Sequence, residues 1–435
     1  MRISTNMLFE QGVFNMNAQL AKLARYQEQI ATGRRVLSPA DDPVAASRAL
    51  EVSQSESINK QYMRNAESAS STISQNEGTL STVTRNLQDL RELAVNAGNG
   101  VHSEKELKML ASEVRGLYAE LLSLGNATNG NGQYLYSGYQ GSTQPFVESV
   151  PGTVTYYGDE GQRMMQISAS RQAAVSDSGA DIFTKIRNGN SVFVTAANSA
   201  NTGSGIISPG SVLDKTLWNV AANNKNFTIK FDVNNATQPA TTTYDIVDNV
   251  SGNSLLTGVA AAASGPYLRT YTTDTAISLK TVAPPDTNAT PFDYGAEVEI
   301  KGAPATGDSF TVNASTDQDI FRTVWNLVNS LESANIGATG AAVLNNSLNA
   351  ALSNISNALD NVLTVRAAVG ARMKEIDTTH GTDEDYGLQY AKTLSELRDL
   401  DFAKTLSDLT MQQTSLDAAQ KSFVKISQLS LFNYV

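Results

Sequence analysis

The chain has 435 residues, a formal net charge of −11 at pH 7 and no cysteine. The acidic balance argues against a surface that binds nucleic-acid phosphates, which needs clustered lysine and arginine, and the lack of cysteine excludes disulfides, thiolate nucleophiles and cysteine-based metal sites. No apolar run approaches the roughly 18 residues of a membrane-spanning helix, and the start Met1–Asn6 lacks the basic-then-apolar pattern of a cleaved signal peptide. We therefore expect a soluble acidic protein, or one exported without a cleavable signal.

Proline divides the chain into three regions. Nine of the eleven prolines lie between Pro145 and Pro304, and the other two, Pro39 and Pro43, share one short turn. Because proline interrupts helices, both ends are predicted to be helical and the middle turn-rich. The predicted fold is a multidomain α+β protein, in which long antiparallel terminal helices form a coiled-coil or helical-bundle rod that carries a small β-hairpin region and an inserted, mostly-β domain.

The predicted domain division follows the same pattern. A terminal coiled-coil segment comprises 1–40 and 400–435. A helical rod domain with a β-hairpin comprises 41–185 and 316–399, and a β-rich domain comprises 186–315. An insertion of this kind is tolerated when its two ends lie close together on the body that carries it.

The first predicted helix runs from about Asn6 to Thr32 and carries an apolar stripe. Its members recur at alternating steps of three and four residues, with Gln27 as one polar member, which is the spacing of a coiled-coil seam. The apolar members are Val13, Met16, Leu20, Leu23 and Ile30. Gly33 is a plausible end of this helix.

Capping residues predict the next helices. Asp42 is predicted to cap a second helix that begins at Pro43 and extends to about Asn96, so the paired acids Asp41 and Asp42 are interpreted as caps rather than as a general acid–base pair. The capping box Ser103–Glu106 predicts the start of a third helix. Asp319 marks the return of helix, and the apolar stripe that follows is predicted to end at His380–Gly381.

Short β-type runs occupy the middle of the chain. Val154–Tyr157 and Met164–Ile167 are predicted strands joined by a hairpin turn at Gly158–Gly161, and Tyr134–Tyr136 is a further strand candidate. Between about Asn190 and Ser315 the strand candidates include Phe227–Phe231, Thr243–Val247 and Glu297–Ile300. Their order in a sheet is not predicted.

The last predicted helix runs from Thr382, as N-cap, to Val435. Its stripe has Gln412 as one polar member, and its apolar members are Leu409, Leu416, Ala419, Phe423 and Ile426. Such a helix could extend roughly 70 Å and cannot bury its stripe alone. The best partner within the chain is the helix at 6–32, which has the same spacing.

Two interpretations of these stripes stay open on spacing alone. They are either the core of an ordinary antiparallel bundle or an assembly interface. The terminal position of both stripes and the single glutamine in each favour assembly, since a polar residue in a seam sets register rather than adding stability. The histidines His102 and His380 lack companion ligands at metal-binding spacing, and no nucleophile–base set is present. We expect no enzymatic activity, no cofactor and no metal.

Several motifs resemble those of the flagellin family. They are Met1–Asn6, Ala31–Val36, Ser38–Ala46, Asn131–Gly138, Gly158–Gln162, Gly307–Val312 and Ile426–Phe432. The resemblance covers about 1–185 and 307–435, and it is closest to the variant of the family that joins hook and filament. The end Leu431–Val435 departs from the Leu-Leu-Arg-like tail expected of a flagellin, so a filament subunit is the second interpretation.

The resemblance implies an extracellular structural subunit of the bacterial flagellum, exported through the flagellar type III apparatus. Its terminal helices would line the inner tube, and the β insertion would form an outer domain. The implied partners are other copies in a ring, the first hook-associated protein, flagellin and an export chaperone on the carboxy-terminal helix. No nucleic acid and no membrane insertion are expected. A secreted coiled-coil translocator is a rival class, but the strongly apolar face and basic flanks that it needs are absent. A glycan-acting enzyme within 190–315 is a further rival class.

Overall fold

The computed structural model describes residues 5–220 and 223–428, without the side chains of residues 5, 6, 8 and 426–428. Its α-helices are α1 Thr5–Thr32, α2 Pro43–Ala97, α3 Glu104–Gly125, α4 Lys215–Trp218, α5 Ile320–Glu332, α6 Ala338–Arg398 and α7 Phe402–Gln428. Its strands are β1 Phe146–Val150, β2 Thr153–Tyr156, β3 Met164–Ser168, β4 Arg171–Ala174, β5 Ile186–Arg187, β6 Phe193–Ala197, β7 Ile206–Ile207, β8 Ser211–Val212, β9 Asn226–Asn234, β10 Thr241–Asp248, β11 Arg269–Thr270, β12 Ala276–Lys280, β13 Asp293–Lys301, β14 Ser309–Ala314 and β15 Asp317–Gln318. The predicted α+β fold with long terminal helices is confirmed.

The helices α2, α3 and α5 begin where the sequence predicted them. The Ala45 N–H donates to Asp42 Oδ1 at 2.9 Å at the start of α2. Ser103 and Glu106 form the reciprocal capping box of α3, in which the Ser103 N–H donates to Glu106 Oε2 at 2.7 Å. Asp319 accepts from the Arg322 N–H at 2.6 Å and caps α5. Each carboxylate or hydroxyl satisfies an N–H that has no partner within its helix.

The predicted boundary between the last two helices is wrong. Thr382 lies inside the continuous helix α6, and its hydroxyl donates to the Thr378 carbonyl at 3.0 Å instead of capping a helix. His380 therefore does not lie at a helix end. The break falls at 399–401, where Asp401 accepts from the Lys404 N–H at 3.0 Å and caps α7. An added Cβ at Gly381 would meet no atom within 4 Å, so this glycine continues the helix at only the usual cost of about 1 kcal/mol.

The predicted hairpin is also wrong. Strand β2 pairs with β1, and β3 pairs with β4, so the chain reverses at 151–152 and at 169–170. Asp159 explains why Gly158–Gly161 is not a tight turn. Its carboxylate accepts from the Tyr139 N–H at 3.0 Å and from the Gly161 N–H at 2.7 Å, which makes this segment part of a folded loop. Tyr134–Tyr136 belongs to the same loop region, where Tyr134 forms one isolated bridge with Thr128 rather than part of a strand.

The described chain forms two compact units. Unit one comprises 5–67, 166–171 and 377–428, and unit two comprises 68–165, 172–220 and 223–376. Helices α2 and α6 contribute residues to both. The three-part division expected from the sequence stays a prediction.

Unit two contains the inserted β-strands. One sheet has the order β11-β10-β9-β14-β6, and a second has the order β12-β13-β7, with β8 also on β13. Aromatic and β-branched side chains of both sheets share one core, which includes Phe193, Trp218, Phe227 and Phe310. The predicted strands at 227–231, 243–247 and 297–300 lie in β9, β10 and β13 and are confirmed. Outside these sheets, Phe146, Phe183 and Phe321 form an aromatic cluster in the same unit.

Asparagines of α6 bind the β-rich part of unit two through its backbone. Asn346 accepts from the Ile207 N–H at 2.8 Å and donates to the Gly205 carbonyl at 3.0 Å. Asn357 donates to the Gly189 carbonyl at 2.8 Å. Further along, Asn361 donates to the Asp181 carbonyl at 2.8 Å. These amides satisfy backbone groups that would otherwise lack partners, and so they fix the insertion on the helix.

Candidate assembly surface

Helices α1 and α7 of unit one pack against each other in antiparallel orientation. Gly12 near the start of α1 lies against Phe423 near the end of α7, and Gly33 after α1 lies near Phe402 at the start of α7. The predicted partner of the last helix is therefore confirmed. We call this contact the α1–α7 seam.

The seam holds most of the residues predicted from the spacing. On α7, Leu416 is buried and Leu409, Ala419 and Phe423 are half-buried. On α1, Val13, Met16, Leu23 and Ile30 are half-buried, whereas Leu20 is 46% exposed and lies outside the seam. The side chain of Ile426 is outside the described residues. The role of all ten residues in assembly between copies stays a prediction.

The polar residues of the seam agree with the prediction on α7 and differ from it on α1. Gln412 is half-buried in the α7 stripe, as predicted, but Gln27 of α1 is exposed. The α1 seam contains Gln19 and Gln29 instead. Gln29 is buried and donates to the Arg35 carbonyl at 2.6 Å, so it ties the helix to the segment that follows. On α1, the half-buried row has Gln19 and Tyr26 in place of the predicted Leu20 and Gln27, one residue earlier in each case, because neighbouring positions fit the same three-four spacing.

Phe9 and Gly12 also belong to the seam and were missed by the sequence analysis. The Phe9 and Phe423 rings pack with centroids 4.9 Å apart. A Cβ added to Gly12 would come within 2.7 Å of the Phe423 ring. Gly12 thus allows the ring to pack directly on the helix backbone, a role that its lack of a side chain hides from an apolar pattern.

Gly12→Ala is expected to destabilise the seam by about 1–3 kcal/mol, because the added methyl overlaps the Phe423 ring. Alanine favours helix over glycine by about 1 kcal/mol, so helix propensity alone predicts the opposite sign. Circular dichroism melting of the full chain measures the effect. Gly381→Ala, where α6 has open space, is the matched control and should not destabilise. In a Phe423→Ala background, the penalty of Gly12→Ala should vanish; a penalty that persists there would contradict this contact.

A compact joint connects the seam to the rest of unit one. The Arg35 N–H donates to the Arg398 carbonyl at 2.8 Å, and the Leu400 N–H donates to the Gly33 carbonyl at 3.0 Å. Gly33 has a positive φ of 68°, which glycine adopts without strain. Backbone hydrogen bonds therefore join the segment that follows α1 to the segment between α6 and α7.

Asp41 organises the turn in this joint. Its carboxylate accepts from the Leu37 and Ser38 N–H groups, each at 2.9 Å, and lies 2.8 Å from the Arg25 guanidinium. The hydrogen bond from Ser38 holds the pKa of Asp41 below its usual value, with burial opposing and the Leu37 N–H and Arg25 adding to the effect. The hydrogen bond from Ala45, together with Arg35, lowers the pKa of Asp42 in the same way. The interpretation as a helix cap is confirmed for Asp42 and is wrong for Asp41, which accepts from the turn before it.

Asp41→Asn is expected to lower the melting temperature of the full chain at neutral pH. A depressed folded-state pKa means that the carboxylate stabilises the fold above its unfolded-state pKa, and that this stability is lost as the pH falls through the folded-state pKa. The melting difference between the natural chain and Asp41→Asn should therefore shrink between about pH 7 and about pH 3. Asp385→Asn on exposed α6 is the control. A difference that grows on acidification would contradict the assignment.

Large apolar side chains stand on the sides of α1 and α7 that face away from the seam. Phe14 is 71% exposed and Met7 60% exposed on α1, and Met411 is 66% exposed and Leu406 58% exposed on α7. Scattered exposed apolar residues are ordinary, whereas clustered ones are typical of protein–protein contact surfaces.

The described residues also bear on metal and membrane sites. They contain no group of three or more His, Asp or Glu side chains placed to hold a metal ion. None of the helices within 5–220 and 223–428 is long and apolar enough to cross a membrane.

The chain is similar to known flagellar proteins. A family model for the bacterial flagellin N-terminal helical region matches residues 3–141. Flagellar hook-associated protein 3 of Escherichia coli (strain K12) is 27% identical over 433 residues, which cover 99% of both chains. Along its whole length, the chain resembles flagellar hook-associated protein 3. The family resemblance predicted from the motifs is confirmed.

A solved structure and a flagellin extend the comparison. The flagellar junction protein FlgL from Legionella pneumophila is similar with a TM-score of 0.66 at 27% identity, covering 81% of this chain and all of that one. Phase 1 flagellin of Salmonella naestved is 32% identical over only 130 residues, which are 30% of this chain and 26% of the flagellin. This match to flagellin thus spans less than a third of the chain.

Proposed function

We propose that this chain is a structural subunit of the bacterial flagellum that forms the junction ring between hook and filament. The observation that carries the proposal is the similarity over 99% of both chains to flagellar hook-associated protein 3. The match to flagellin covers 30% of this chain, and this favours the junction over the filament subunit. The relatives are structural flagellar proteins, and we propose the same non-enzymatic role here.

The ring would lie between the first hook-associated protein and flagellin and would be built from copies of this chain. The α1–α7 seam and the exposed apolar sides of both helices would form the inner helical layer. The three-part division expected from the sequence would place the β-rich domain 186–315 outside. The alternation of buried Leu416 and exposed Met411 on α7 supports contacts on two sides of one helix.

We further propose an extracellular location, reached through the flagellar type III apparatus without a cleavable signal. Before export, a chaperone would cover the α7 stripe around 409–426. A half-buried stripe on a terminal helix pair suits such a partner, because the helix pair can separate at modest cost and the stripe is then free to bind.

A deletion strain tests the proposal. Removal of the gene should leave hooks without filaments and flagellin monomers in the medium, and expression of the full chain should restore filaments. Electron microscopy of the cells and an immunoblot of the medium for flagellin are the two measurements. Filaments of normal number in the deletion strain would contradict a junction role.

A further inference from the structure

Four asparagines of the chain are followed directly by glycine, namely Asn99, Asn129, Asn131 and Asn188. An asparagine in this setting can cyclise, because the glycine nitrogen has no neighbouring side chain that hinders its approach to the side-chain amide carbon. The reaction needs a side-chain amide that can turn toward the main chain and a glycine N–H that is free to lose its proton. The four pairs are equivalent in sequence, and their hydrogen bonds distinguish them.

The pair Asn99–Gly100 meets both requirements. Both residues are exposed in the connection between α2 and α3. The Asn99 N–H donates to the Asn96 carbonyl at 3.1 Å, but the Asn99 side chain and the Gly100 N–H have no hydrogen-bond partner within 5–220 and 223–428. Gly100 has a φ of 68°, and a Cβ added there would meet no atom within 4 Å, so the reacting nitrogen is unobstructed.

The two pairs in the loop at 129–132 each meet one requirement. The Asn129 Oδ1 atom accepts from the Asn131 N–H at 3.0 Å and from the Gln133 N–H at 2.9 Å, so this side chain is held. The Asn131 side chain is exposed and forms no such bond in the described part of the chain, but the Gly132 N–H donates to the Asn129 carbonyl at 2.9 Å. Each pair must therefore break at least one hydrogen bond before it can cyclise.

The pair Asn188–Gly189 meets neither requirement. The Asn188 Oδ1 atom accepts from the Thr316 N–H at 2.9 Å, and its Nδ2 donates to the Thr316 hydroxyl at 3.2 Å. The Gly189 N–H donates to Asn354 Oδ1 at 2.8 Å, and Gly189 is buried. Both reacting groups of this pair are therefore fixed.

We propose that Asn99 is a site of spontaneous deamidation. The Gly100 nitrogen gives its proton to a base in solution and attacks Asn99 Cγ. The new C–N bond closes a five-membered imide, and Nδ2 takes up a proton and leaves as ammonia. Water then opens the imide at either carbonyl, so the products are aspartate and isoaspartate, and no oxidant or reductant is involved. The reaction needs no other protein, and it is independent of the proposed junction role.

Deamidation would change the charge of the α2–α3 connection. Asn99 lies just beyond Ala97, the last residue of α2, and a carboxylate at this end of a helix interacts unfavourably with the helix dipole. Val101, which follows Gly100, is 81% exposed. The product would therefore place a negative charge beside an exposed apolar residue, and the isoaspartate form would lengthen the main chain between α2 and α3 by a methylene group.

Peptide mapping by mass spectrometry of the full chain, kept folded in mildly alkaline buffer, measures the four sites together. Asn99 should convert first. One hydrogen bond that must break slows a reaction by about two- to tenfold, so Asn129 and Asn131 should convert that much more slowly, and Asn188 more slowly still. In urea that unfolds the chain, the four rates should converge, because only the folded structure distinguishes them. Conversion of Asn131 or Asn188 as fast as Asn99 in the folded chain, or the same ranking in urea, would overturn the proposal.

Two variants test the two requirements separately. Asn354→Ala removes the acceptor of the Gly189 N–H and should raise the rate at Asn188 about two- to tenfold without changing the rate at Asn99. Asn99→Gln has a longer side chain that cannot close the five-membered ring, so it should remove the main acidic species that isoelectric focusing shows in the aged chain. An acidic species of full strength in Asn99→Gln would overturn the assignment, and an unchanged rate at Asn188 in Asn354→Ala would overturn the control by hydrogen bonds on which the ranking depends.

Discussion

Leu416→Asp is expected to abolish attachment of filaments to hooks while unit two stays folded. Leu416 is 8% exposed and lies at the centre of the α7 stripe. A carboxylate at this position would lose its hydration without gaining a partner, at a cost of several kcal/mol. The helix pair gains most of its stability from this packing, so the substitution should separate α7 from α1.

Swimming, electron microscopy and circular dichroism measure the result. Phe423→Asp should act in the same way, because that ring packs on Phe9 and on Gly12. Thr414→Asp is the matched control, since Thr414 is exposed and lies on the far side of α7 from the seam. Normal filaments on cells that carry Leu416→Asp would show that the seam is not needed for assembly. Equal loss with Thr414→Asp would place the decisive contact on the outer side of α7.

The buried ion pair of the β-rich part is expected to show the largest stability effect. The side chains of Arg269 and Asp286 are 6% and 0% exposed. Arg269 Nη2 donates to Asp286 Oδ2 at 2.6 Å and its Nε donates to Oδ1 at 2.9 Å, and the Val282 N–H donates to Asp286 Oδ2 at 2.8 Å. Asp286→Asn keeps the shape but leaves the Arg269 charge without a counter-ion.

Removing one partner of a buried pair costs about 3–5 kcal/mol, because the other charge stays buried. Urea unfolding of the full chain, followed by the fluorescence of the buried Trp218 in the same core, measures the loss. Asp274→Asn, an exposed acid-to-amide change, is the control and should stay within about 0.5 kcal/mol. A loss below about 1 kcal/mol for Asp286→Asn would mean that Arg269 finds other compensation, for example at the Lys280 carbonyl 2.6 Å away.

Local chemistry made several elements predictable from the sequence. The starts of α2 and α3 follow from Asp42 and Ser103, because a cap satisfies N–H groups of its own helix and needs no distant partner. Asp401 caps α7 in the same way, but the sequence analysis did not predict the break between α6 and α7. It lies at Asp399–Asp401, without glycine or proline, and it is fixed by hydrogen bonds to Gly33 and Arg35 more than 350 residues away.

The assembly surface was predictable only in part. Three-four spacing predicted the buried Leu416 and the half-buried Phe423, since a stripe must face its partner. The same spacing wrongly included Leu20 and Gln27, because it does not distinguish a seam from the row beside it. Gly12 was missed because its contribution is the absence of a side chain.

The position of the protein along the flagellum tests the central claim most directly. A single cysteine at Val250, which is 66% exposed in the β-rich part of this cysteine-free chain, can be labelled with maleimide-linked gold on intact flagella. The junction role predicts label in one narrow band at the boundary between hook and filament. Label distributed along the filament would contradict it and would identify a filament subunit instead.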